Sequence, residues 1–160
     1  MRRAAAISAP LDLAAAAEAL ERGFNREVYA RHFLWTLRRK AIAKLAHHPH
    51  LYDAARVRAA RTLRAFDEAV TAPLHGFRDA DDYYARASSG PWLSRIAVPT
   101  LVLNARNDPF LPAAALEAAL ARARDNAFLT LEAPATGGHA GFPGRGGWLV
   151  RRILHFFDER

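Results

Sequence analysis

Two loops carry residue types suited to acid–base chemistry. Asn107-Asp108-Pro109-Phe110 holds a carboxylate, and Thr136-Gly137-Gly138-His139-Ala140-Gly141-Phe142 holds an imidazole. Asp108 and His139 lie 31 residues apart, the span of one crossover between neighbouring strands of a parallel sheet. Each loop follows an apolar run. The acid and the histidine are therefore expected on one edge, at the C-terminal ends of consecutive strands, where open parallel sheets build their sites. A carboxylate so placed fixes an imidazole's tautomer and stabilises the imidazolium formed during general-base catalysis. Gly137 and Gly138 let the backbone turn tightly into the site. A plainer reading stays open, because an Asp after a strand also serves as a helix cap or turn residue. A lone His is often a surface group or a satisfied core group.

Other residues invite chemistry and receive plainer readings. His47, His48 and His50 lack acidic or thiolate company and sit at a helix end, so surface histidines are expected rather than a metal site. His75, in Pro73-Leu74-His75-Gly76-Phe77, is a rival base but lies within the helical region, where a structural or substrate-side role is favoured. Ser88-Ser89 precede Pro91 and read as a helix stop, not as a nucleophile. Trp35 and its apolar neighbours suit either packing or contact with lipid. Phe110 and Phe142 flank the acid and the histidine, as pocket walls or as core.

Several elements must position these loops. Residues 4–8 are small and apolar and read as a buried strand. Pro99-Thr100-Leu101-Val102-Leu103-Asn104-Ala105 is continuously apolar and bounded by Pro, the pattern of a strand buried on both faces. Residues 127–132 form a third strand. Helices are expected over 12–22, closed by Gly23, and over 26–46, capped by Asn25. Further helices are expected over 53–70, 79–87, 112–124 and about 148–157, with a turn over 71–77. Strand, helix, strand, helix is the order of a parallel α/β sheet, and the all-helical stretch 11–91 interrupts it.

Composition bounds the class. The 160 residues are 51% hydrophobic and contain no Cys, which excludes a disulfide framework, thiolate metal sites and a cysteine nucleophile within the chain. No apolar run approaches the roughly 20 residues that cross a bilayer, and the first residues do not read as a signal peptide. A soluble, cytoplasmic, globular protein is expected. Residues 1–64 carry 13 Arg and Lys against 5 Asp and Glu, whereas residues 65–160 carry 10 against 11. The basic excess fits an anionic surface. No nucleic-acid recognition motif accompanies it, so nucleic acid is not the expected partner, and an Arg-over-Lys, Ala-rich bias can arise from a GC-rich genome.

Six segments, in order along nearly the whole chain, resemble the α/β-hydrolase superfamily. They are Ser8-Ala9-Pro10-Leu11-Asp12-Leu13, Phe66-Asp67 with residues 71–77, and Asp82-Tyr83-Tyr84. They continue with Ile96-Ala97-Val98-Pro99-Thr100-Leu101, then 104–110 and 137–142. The resemblance is to the C-terminal half of the YheT-like hydrolases, relatives of ABHD-type and yeast ethyl-ester-forming lipid enzymes. It implies a partial α/β-hydrolase domain over 1–160, of about three parallel strands with flanking helices, in which 92–160 supplies the C-terminal strands and helices carrying the Asp and His loops and 11–91 is a helical cap region. It implies hydrolysis of lipid-like carboxylic esters, with Asp108 as triad acid, His139 as triad base, and no metal or organic cofactor.

The family's nucleophile is a serine in a G-x-S-x-G elbow. None of Ser8, Ser88, Ser89 and Ser94 has glycine two positions before and two after. The expectation is therefore a truncated chain, inactive alone, with the serine upstream and the strand at 4–8 left as an open edge of marginal stability. The alternatives are a non-catalytic module that binds a partner or an anionic surface, peripheral membrane contact included, and half of a split hydrolase completed by a missing N-terminal half.

Overall fold

The computed structural model describes residues 3–144 and 147–158. In chain order its elements begin with β1 (Ala4–Ile7), α1 (Leu13–Leu20) and α2 (Gly23–Asn25). A π-helical turn, Arg26–Ala30, leads into α3 (Arg31–Leu45), followed by α4 (Ala54–Ala59) and α5 (Leu63–Phe66). A second π-helical turn, Asp67–Thr71, leads into α6 (Ala72–His75), then α7 (Ala80–Ala87) and a 3-10 turn, Gly90–Arg95. The chain closes with β2 (Thr100–Leu103), α8 (Ala113–Ala123), β3 (Leu129–Glu132) and α9 (Trp148–Asp158). Two compact units result: Met1–Ala15 with Ser88–Arg160, and Ala16–Ala87.

The first unit holds a parallel sheet in the order β1-β2-β3. Ala6 pairs with Val102, which pairs with Leu131. The apolar run of β2 is buried throughout, as a central parallel strand covered on both faces requires. Side-chain alternation splits it between two cores. Val102 packs with Leu11, Leu111, Leu116 and Ala119 on the α8 side. Leu101 and Leu103 pack with Phe142 and Phe156 on the α9 side. The strand and helix expectations hold here with ends shifted by one or two residues, except that β1, expected to be buried, is only half-buried along its length because it lies at the edge of the sheet. A buried serine hydroxyl holds the end of the helical excursion: Ser88 Oγ accepts from Leu13 N–H at 2.9 Å.

The second unit is helical, around Leu34, Ala41, Val57, Phe66, Ala69 and Val70. Three local expectations need correction. Asn25 is not a cap: it sits in helical conformation, and its Nδ2 donates to Ala19 O at 3.1 Å. The chain reverses at Gly23, with φ +48°, and re-enters a helix at once. The helix expected over 53–70 breaks at Ala60, whose ψ is 121°, and restarts beyond Thr62, whose Oγ1 accepts from Ala65 N–H at 3.0 Å. The turn expected over 71–77 is helical as far as His75. Ala72 N–H reaches back five residues to Asp67 O, and this wider turn admits Pro73, which lacks a donor and would crowd a regular α-turn. Gly76, with φ +73°, then ends the helix, as a left-handed residue after a C-terminus does.

Candidate active site

Backbone pairing carries the two candidate loops outward in step. Asn104 N–H donates to Glu132 O at 3.1 Å, and Arg106 N–H donates to Pro134 O at 2.9 Å. The segments beyond β2 and β3 therefore stay matched as far as Arg106 and Pro134, just short of the loops that carry Asp108 and His139. Asp108 is anchored by its own loop, since its Oδ1 accepts from Phe110 N–H at 2.8 Å, an Asx turn. Its Oδ2 lies 3.0 Å from His139 Nδ1.

The two side chains differ sharply in exposure. That of Asp108 is 2% exposed and that of His139 46%. A carboxylate in its ionised form only accepts hydrogen bonds, and opposite it the neutral imidazole carries its proton on Nδ1 and leaves Nε2 as the accepting nitrogen. The arrangement thus presents a half-exposed imidazole held by a buried carboxylate. The Phe110 ring lies 4.5 Å from the imidazole and walls it on one side. Phe142, the other flanking aromatic, is buried in the core with Leu101 and Leu103.

Asn107 went without a role in the sequence. Its Oδ1 accepts from both Gly137 N–H and Gly138 N–H, each at 2.9 Å. One carboxamide oxygen therefore ties the acid's loop to the histidine's loop. Gly137 is needed for a separate reason: an added Cβ would lie 2.6 Å from the Phe142 ring and 2.7 Å from Ala105 Cβ. Gly138 takes φ +59°, which favours glycine. The only hint of Asn107's part was its position beside Asp108, and carboxamides next to acids are too common to single one out.

The remaining candidates lie elsewhere. His47, His48 and His50 are exposed beyond α3, and no group of three His, Asp or Glu able to hold a metal occurs among the described residues. His75 is exposed at the end of α6. Ser88 is buried and Ser89 Oγ donates to Pro10 O at 3.3 Å. Ser8, at the end of β1, is buried with φ +52°, and its Oγ lacks a partner among the described residues. The imidazole of His139 bonds to Asp108 and to no serine among the described residues. No described helix is long and apolar enough to cross a membrane.

No protein-family model matches the chain, and no solved structure matches it significantly. Similarities to individual proteins are clear. The YheT esterase of Escherichia coli is 43% identical over 107 residues, covering 66% of this chain and 31% of that protein. The mouse phospholipase ABHD3 is 35% identical over 143 residues, covering 87% of this chain and 33% of that protein. A monoacylglycerol lipase of Saccharomyces cerevisiae is 31% identical over 137 residues, covering 80% and 30%. The chain spans about a third of the length of the curated relatives it matches. Relatives named as esterases and lipases, together with a parallel three-stranded sheet flanked by helices, show that the chain belongs to the α/β-hydrolase family and carries part of its fold.

Proposed function

We propose that Asp108 and His139 are the acid and base of a serine-type hydrolase of carboxylic, lipid-like acyl esters, and that 11–91 is its cap region. The observation that carries this reading is the 3.0 Å contact between a buried carboxylate and the Nδ1 of a half-exposed histidine. A serine from a G-x-S-x-G elbow, a motif absent from these 160 residues, attacks the ester carbonyl. His139 Nε2 takes its proton and returns it to the leaving alcohol. Asp108 holds the tautomer and stabilises the imidazolium in between. Water, activated by the same imidazole, then attacks the acyl-enzyme and releases the acid. An alcohol in place of water gives acyl transfer.

The test has two arms. Alone, the chain should show no hydrolysis of a short-chain aryl ester above a His139→Ala control. Co-expressed with a serine-bearing segment from a YheT-type relative, it should show turnover that His139→Ala lowers by about a thousandfold or more. His139-dependent turnover by the chain alone would show that the nucleophile lies within these residues. Complemented turnover indifferent to His139→Ala would remove the base from its role.

A further inference from the structure

The helical unit carries a feature that ester hydrolysis does not use. A groove of about 1360 Å³ runs along α3 and the end of α4. Arg31, Arg38, Arg39, Lys40, Arg58 and Arg61 line it, and no acidic side chain does. The nearest carboxylate on the same stretch, that of Glu27, lies 3.4 Å from one Arg31 nitrogen. Apolar side chains share the lining: Val28, Trp35 and Ile42. Val28 and Trp35, seven residues apart, are open to solvent, whereas Ile42 packs on the core of Leu34 and Ala41 at the floor of the groove.

Two of these apolar groups are unusually open for their kind. Trp35 is 56% exposed and Val28 44%. The guanidinium of Arg39 lies 4.6 Å from the centre of the Trp35 ring, so a cation and an indole form one amphipathic tip. Cations alone would suit any polyanion. Cations with an exposed indole and exposed aliphatic groups suit the boundary between headgroups and acyl chains, which takes both kinds of group at once. A ribose-phosphate backbone would satisfy the arginines and offer nothing to the exposed Val28 side chain.

We propose that this groove is a docking surface for an anionic lipid bilayer. The Arg and Lys side chains engage headgroup phosphates and carboxylates, and Trp35 and Val28 enter the acyl boundary. The surface lies wholly within Ala16–Ala87, so the proposal stands whether or not His139 is a catalytic base.

The test uses the full 160-residue chain and unilamellar vesicles. One set is pure phosphatidylcholine, the other carries about 30 mol % phosphatidylserine. Sedimentation should show binding to the anionic set only, lost when salt is raised from about 0.1 M to about 0.5 M. The double variant Arg39→Glu/Lys40→Glu should weaken binding by about tenfold or more. Arg122→Glu/Arg124→Glu makes the same charge change on exposed positions around the end of α8 and should weaken it less than about twofold. Tryptophan emission should shift to the blue on binding, and Trp35→Phe should remove that shift. Equal loss from both double variants would show that net charge alone attracts the chain and would overturn the proposal. So would indifference to phosphatidylserine, or a shift that survives Trp35→Phe. Single-stranded RNA that binds more tightly than the vesicles, in an Arg39-dependent way, would make the groove a nucleic-acid surface instead.

Discussion

The sheet unit and the helical unit use similar apolar material under different rules. In the sheet unit, β2 is fully buried and serves two cores at once, and the loops beyond it inherit its register. In the helical unit, the backbone changes pitch twice through π-helical turns and breaks at several points, Ala60 and Gly76 among them. A parallel strand has one workable register, because a slip by one residue turns its apolar side chains to the wrong face. A helix can absorb an extra residue as a wider turn and keep most of its contacts. Precision of the kind a paired acid and base need therefore sits in the sheet unit. Adaptable side-chain surface sits in the helical unit.

Core truncation should separate the two most strongly. Leu103→Ala empties a fully buried site beside Phe142 and Phe156 and should cost about 2–5 kcal/mol, measured by denaturant unfolding. Amide exchange should rise across β1, β2 and β3. Exchange rising only in α3 to α6 would reverse the comparison.

A smaller effect tests the tie between the loops. Asn107→Ala leaves the Gly137 and Gly138 N–H groups without their acceptor, at a cost of about 1–3 kcal/mol from Gly137, the buried one of the two donors. Exchange at those two amides should rise. Asn107→Asp keeps an acceptor in place and should restore protection. Unchanged exchange in Asn107→Ala would mean the loops hold their positions without it.

Acid should act on the helical unit through identifiable groups. Asp81 is held below the ordinary 3.8 chiefly by the hydrogen bond from Arg64, and Asp82 chiefly by the backbone N–H of Arg78. A carboxylate lowered by folding contributes stability above its unfolded value, and that contribution is lost as pH falls through the folded value. Asp67 runs the other way. Burial raises it, against hydrogen bonds from Thr71 and Tyr84, so its contribution declines as pH rises from about 3.8 through its raised value. Melting curves from pH about 2 to 7 should show a shallower acid-side fall for Asp82→Asn than for the unaltered chain. Identical slopes would remove Asp82 from the account.

The smallest expected effect is at the exposed pair Arg22–Glu18, 3.0 Å apart. Arg22→Ala should leave stability within about 0.5 kcal/mol, because both side chains are well solvated. A larger loss in a denaturant melt would show that the helical unit relies on its surface charges more than solvated pairs allow.

The legible parts of the sequence were those where one physical cause dominates. Thr100-Leu101-Val102-Leu103 reads as a buried strand because a short, continuous apolar run behind Pro99 suits one, and α8, β3 and α9 follow it in the order of a parallel sheet. Asp108 and His139 were visible as residues following apolar runs. The break at Ala60 and the turn at Asp67 were not. Ala60 is a good helix former, and its extended ψ reflects the Thr62 cap and packing of the next segment, a tertiary override of local preference. The turn read over 71–77 is instead helical as far as His75, entered through the π-turn that precedes Pro73.

By itself the sequence determined the three strands of a parallel sheet, the common edge for an acid and a histidine, the basic bias of residues 1–64, and the absence of any G-x-S-x-G serine among these residues. Each follows from residue type and spacing alone. Only the tertiary structure decided that Asp108 is buried while His139 is half exposed, that Nδ1 faces the carboxylate, that Asn107 joins the two loops, and that the arginines of α3 and α4 gather around Trp35. Those outcomes depend on which groups meet across more than twenty residues of chain, and packing decides such meetings.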